Sequence, residues 1–265
     1  MESSRKKAVV MQILDVDISD YAAKQIDALC NSFRQPVKFL HIEEAGSETG
    51  AARDSTDPRD SMCYKVYLPS GLDRRMFEAN VLYELFHIRQ FEAGFPTLGR
   101  KDSVLFSEDR EFVEELGGLI FSGALDLEIY ERLCKCRYND AVRWFGGNIY
   151  TGLVSAASYK FSNLDDKYNF AHLVITFVKV LYHTDNEQDA KIRELFADYP
   201  LVLERSFEVR DMLLQNDSNT PESVAIIMGR ILSILELWDL FNIRISDLKI
   251  RTKTEFESFC ALHEC

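Results

Sequence analysis

The sequence predicts an α+β protein, with a small α/β unit up to about residue 100 followed by a mostly helical remainder. Three observations predict it. KAVVMQILDV, VKFLHIEE and CYKVYLP are rich in β-branched and aromatic residues, and Pro69, Ser70 and Gly71 close the last of them. Apolar residues recur at helical spacing from Asp73 onward, and no clear strand follows Trp144. Finally, 46% of the 265 residues are hydrophobic, enough to fill a sizeable core.

Taken in order, KAVVMQILDV reads as the first strand. SDYAAKQIDALCNSF reads as a helix with Ser19 or Asp20 at its N-cap, since a short polar side chain there can accept from the free N–H groups of the first turn. VKFLHIEE is the second strand. GSETGAARDSTDPRDS holds no core-forming residues and reads as a polar loop. CYKVYLP is the third strand. A helix is predicted over 73–93, closed by Gly94 and Pro96, and a second over 108–133 despite Gly117, Gly118 and Gly123. Gly146-Gly147 reads as a turn. FAHLVITFVKVLY, DAKIRELFADY, LVLERSFEVRDMLL and SVAIIMGRILSILELWDLF read as helices, the last capped by Thr220 with Pro221 in its first turn. The expected division is 1–143 for the α/β region with both helices, and 144–265 for the helical region.

The formal net charge of −12 argues against nucleic-acid binding, which needs a basic face to neutralise phosphates, and against an anionic membrane surface. The apolar run near the N-terminus is short and broken by Asp15 and Asp17, unlike a signal peptide, and no segment reaches the roughly 20 apolar residues of a membrane span. Six scattered cysteines suit a reducing cytoplasm with free thiols.

The helix over 73–93 carries two polar stripes. Arg74, Arg75, Glu78, Arg89 and Glu92 form one, expected to face water. Asn80, Tyr83, Glu84, His87 and Gln90 form the other, nearly opposite. An amphipathic helix ordinarily has one polar face, so the second stripe is expected to line a cleft or a buried hydrogen-bond network.

Within that stripe Tyr83-Glu84-Leu85-Phe86-His87 has the spacing of H-E-x-x-H, in which two histidines one turn apart bind zinc and the Glu polarises the metal-bound water. The segment resembles the active-site helix of the HExxH zinc metallopeptidases, the zincins, and is similar to small bacterial HExxH proteins in which a Gly and an aromatic follow the motif. The resemblance covers about residues 60–133. It implies Glu84 as catalytic base, His87 as a zinc ligand, and an edge strand before the helix that holds substrate extended, a place CYKVYLP would take. It also implies a third ligand on the next helix, for which Glu115, beside Glu114, is the candidate, with Ser122 or Asp126 behind His87. Tyr83 departs from the pattern. A phenol has an unperturbed pKa near 10 and binds zinc well only when ionised. The expectation is a site without metal, organised by Tyr83 hydrogen bonds, with zinc as cofactor only if the site works.

Three functional readings follow: a non-catalytic, metallopeptidase-like module that binds a peptide or protein partner along CYKVYLP; an active zinc metallopeptidase; and a helical interaction protein whose second stripe is structural. Elsewhere, His172 reads as a hydrogen-bonded core histidine, His41 as a strand residue and His183 as a helix-end residue. Cys134, Cys136, Cys260, His263 and Cys265 could together supply four soft zinc ligands if the tail packs back on the residue 134 turn, but C-x-C is tighter than the usual zinc knuckle, so free thiols are expected.

Overall fold

A computed structural model describes residues 11–42, 50–53, 63–101, 110–156, 164, 166–182 and 184–263. The fold is α+β, and the chain divides into two compact units. The first holds Met1–Glu92 and Lys135–Ala141, and the second holds Ala93–Cys134 and Val142–Cys265. The predicted second helix lies almost wholly in the second unit, up to Cys134.

In the first unit, β1 (Gln12–Ile13) and β2 (Val16–Asp17) form a tight hairpin. Leu14 and Asp15 turn it with φ of 47° and 66°, the left-handed geometry that two-residue hairpins need. The long strand expected here is thus interrupted by a turn without glycine. Helix α1 (Asp20–Ser32) starts at Ser19, whose hydroxyl accepts from Ala22 N, and buries Ala22, Ile26 and Leu29. Strands β3 (Val37–His41), β4 (Gly50–Arg53) and β5 (Tyr64–Leu68) form one sheet in the order β3-β5-β4. β4 lies inside the stretch read as a polar loop. β5 alternates as expected, with Tyr64, Val66 and Leu68 buried against α2 (Arg74–Glu92).

The strand order overturns one expectation. β5 is the central strand, paired in parallel with β3 and antiparallel with β4, so CYKVYLP offers no free edge to a peptide. A second correction concerns Glu78, placed above on the solvated stripe. It is only 3% exposed. Its carboxylate accepts from Ser19 N at 2.7 Å and from Tyr138 Oη at 2.8 Å. Arg75 stacks over the Tyr138 ring at 4.9 Å and forks onto Asp140, and this guanidinium holds the Asp140 carboxyl below its usual range. Glu92 likewise accepts from Arg34 N at 2.7 Å and Tyr64 Oη at 2.8 Å.

In the second unit, β6 (Thr97–Arg100), β7 (Phe241–Ile245) and β8 (Leu248–Ile250) form an antiparallel sheet in that order. All three lie where no strand was expected. Around them are α3 (Arg110–Lys135), most of α4 (Asn139–Ala156), α5 (Lys167–Leu181), α6 (Asn186–Leu195), α7 (Pro200–Gln215), α8 (Pro221–Ile234) and α9 (Lys253–His263). α4 runs straight through Gly146-Gly147, so that pair is no turn. Thr220 caps α8 as predicted, but the helix stops at Ile234, and Phe241 opens β7. The core joins α5, α7 and α8 to β7, with Phe177 and Phe196 edge to face at 4.5 Å. No helix among the described residues is long and apolar enough to cross a membrane.

Candidate functional site

Helix α2 places Asn80, Tyr83, Glu84, His87 and Gln90 as the periodicity requires, but they differ in exposure. Glu84 and Gln90 are 4% and 3% exposed, whereas Asn80, Tyr83 and His87 are half-buried. Asn80 Nδ2 donates to Met76 O at 2.8 Å, one turn back, so its amide serves its own helix. The rings of Tyr83 and His87 meet edge to face, 4.7 Å between centroids and 89° between planes. Aromatic pairs prefer this arrangement because the positive edge of one ring meets the negative face of the other.

Zinc does not fit these donors well. The positions that two imidazoles would fill hold one imidazole and one phenol, and a neutral phenol is a poor ligand. Among the described residues no three His, Cys, Asp or Glu side chains converge as a metal site would need.

The residues assigned to the next helix lie in the second unit. Glu115 is exposed, and its Oε1 sits 3.2 Å from His172 Nε2, whose ring stacks on Phe112 at 5.3 Å. His172 is therefore hydrogen-bonded, as expected, but half-buried rather than in the core. Ser122 Oγ donates to Leu119 O at 3.3 Å. Asp126 is 2% exposed, with Tyr130 Oη 3.5 Å from its Oδ2. Tyr182 Oη donates to Gly123 O at 3.1 Å. Burial, then the nearby Asp126 charge, raises the pKa of both tyrosines, so both phenols stay neutral. His41 lies in β3 as read. His183 and Cys265 lie outside the described residues. Cys30, Cys63, Cys134, Cys136 and Cys260 are not in disulfides, and burial, then the Asp27 charge, pushes Cys30 up to about 11.

A second constellation escapes the sequence reading. Between β6 and α3 runs a groove of about 570 Å³, lined on one side by Thr97, Leu98, Gly99 and Arg100 and on the other by Glu114, Gly117 and Gly118. That volume lies within the roughly 300–1,000 Å³ of ordinary ligand sites. α3 rests on β7 through Gly117, where a Cβ would lie 2.9 Å from Phe241 Cε1. Arg100 Nη2 pairs with Glu114 at 2.8 Å across the groove. At Gly99 a Cβ would lie 2.8 Å from Asn242 Oδ1 and 3.3 Å from Arg244 Nε, so glycine lets both side chains cross the strand. The only sequence signal was the alternation of FNIRI, hidden by the apolar run before it.

Compared with known protein families, curated proteins and solved structures, the chain matches no family model, no curated protein and no solved structure.

Proposed function

We propose that the chain is a metallopeptidase-like protein with a degenerate zinc site, acting in the cytoplasm as a non-catalytic module that binds or regulates through a peptide or protein partner. The observation that carries this reading is the state of the α2 stripe. Glu84, the residue that would have to polarise a water, is 4% exposed, and Tyr83 packs edge-on against His87 where a second imidazole would stand. Both features support a motif that has lost its zinc-bound water while keeping its place on the helix. The net charge of −12 favours a partner other than nucleic acid.

The test is metal content by elemental analysis on untagged protein purified without added zinc, beside His87→Ala, with peptidase assays on the parent and Glu84→Gln. The expected result is no stoichiometric metal in either protein and no hydrolysis that Glu84→Gln abolishes. About one zinc per chain in the parent, lost in His87→Ala, would overturn the reading in favour of a working zinc enzyme.

A further inference from the structure

The groove between β6 and α3 has the features of a strand-addition site. Among the described strands β6 is an edge strand, with β7 on one side only. Lys101 N donates to Leu240 O at 2.8 Å, which fixes the alternation of the ladder. Thr97 and Gly99 turn their main-chain groups toward β7. Leu98 and Arg100 turn theirs toward the groove. Arg100 O is taken by Asn242 Nδ2 at 3.1 Å, which leaves Leu98 N–H, Leu98 C=O and Arg100 N–H along the open edge. An extended chain pairs through such a row. On the far wall a Cβ at Gly118 would meet nothing within 4 Å, so the wall stands back.

Charge then selects the occupant. Arg244 is exposed and makes no ion pair with any described residue. It is paired with Thr97, and its guanidinium arm crosses Gly99 on the same face. A strand added outside β6 would stand roughly 9.6 Å from β7, twice the usual spacing. A residue opposite Gly99 would point its side chain to the face that Arg244 crosses, with no side chain between them. Beneath it, Asn242 is 1% exposed and its Oδ1 has no hydrogen-bond partner among the described residues. A guanidinium at a groove with no carboxylate partner among the described residues favours an acidic ligand.

We infer that this groove binds an extended peptide segment as an added strand on β6, with an aspartate or glutamate side chain of the peptide paired to Arg244. The inference rests on the binding-module reading and gives it a site, and it does not depend on α2.

The test selects a phage-displayed random peptide library on the full chain and measures the enriched peptides by fluorescence polarisation. The variants are Gly118→Trp, which fills the groove, Arg244→Gln and Arg244→Glu, each checked for native circular dichroism. The expected peptides share an acidic residue. Gly118→Trp abolishes their binding, and Arg244→Gln weakens it roughly tenfold. Arg244→Glu prefers the peptide whose acidic residue is changed to lysine. Peptides that bind Gly118→Trp as well as the parent would overturn the groove while leaving the binding-module reading intact. Peptides indifferent to Arg244→Gln would overturn the acidic recognition. No enriched peptide at all would count against both.

Discussion

Replacing Tyr138 with Phe removes one oxygen from the first unit and should weaken it measurably. Glu78 is 3% exposed, and its carboxylate has Ser19 N on Oε1 at 2.7 Å and Tyr138 Oη on Oε2 at 2.8 Å. Arg74 stands 4.0 Å away with a 65% exposed side chain, too far to replace a hydrogen bond. A hydrogen bond to a charged group is worth about 1.5–3 kcal/mol, and the loss is felt in full where water cannot reach the deserted oxygen. Phe keeps the ring that Arg75 stacks on, so packing is nearly unchanged. Hydrogen exchange read by mass spectrometry over α2 and residues 135–141 should therefore speed up roughly ten- to hundredfold in Tyr138→Phe, at about 1.4 kcal/mol per tenfold. Tyr21→Phe, at a side chain 40% exposed, is the control and should change stability by no more than about 0.5 kcal/mol. If the two variants exchange alike, Glu78 is not held by Tyr138.

Other outcomes are equally open to measurement. Gly229→Ala places a Cβ 2.2 Å from Phe256 Cε2. Overpacking costs about 1–3 kcal/mol against about 1 kcal/mol of helix propensity regained, so thermal denaturation should show a lower Tm, and a higher one would mean that the ring yields freely. Thr220→Ala removes the oxygen that accepts from Ser223 N at 3.2 Å and should cost about 1 kcal/mol in urea titrations, with Thr220→Ser largely restoring it. Tyr130, Tyr138 and Tyr182 all have raised pKa values, so the unfolded chain gives up these protons first as pH rises past about 10. Their stabilising contribution is complete below that pH and is lost above it. Tyr138→Phe should flatten the alkaline fall, and an unchanged slope would rule out its share. With its thiol near 11, Cys30 should react with iodoacetamide roughly tenfold faster per pH unit between 7 and 9, and a plateau in that range would contradict its burial.

The sequence makes the helices legible and the sheets much less so. α1 and α8 announce their starts through Ser19, Thr220 and Pro221, because capping is a local matter of one side chain and one turn. The end of α8 carries no such mark. The left-handed position after Leu235 is Glu236, with φ of 56°, and Trp238 Nε1 bonds back to Ser233 Oγ at 2.9 Å to pin the turn. A reader expecting glycine there runs the helix on through the apolar residues and misses β7. Glu78 is hidden for another reason. Its partners lie 59 and 60 residues away, beyond any helical projection. Strand order is hidden likewise, since β5 sits between β3 and β4 and nothing local in CYKVYLP distinguishes a central strand from an edge. The α2 stripe was visible as a pattern, but the sequence alone did not reveal that Glu84 and Gln90 are buried in it.

Residues 135–141 return to the first unit after α3 has left it, and this has a consequence for how the chain emerges from a ribosome. Translation delivers Ser19 and Glu78 early, but Tyr138 only 60 residues after Glu78, and Asp140 two residues later. Until then a carboxylate destined for burial has one of its two donors, and Arg75 has no counter-ion at Asp140. A nascent chain ending at residue 92 or 134 would hold the β3-β5-β4 sheet and α2 without the residues that close them. The first unit therefore cannot close until residue 141 has been made, although its sheet and α2 are already present at residue 92.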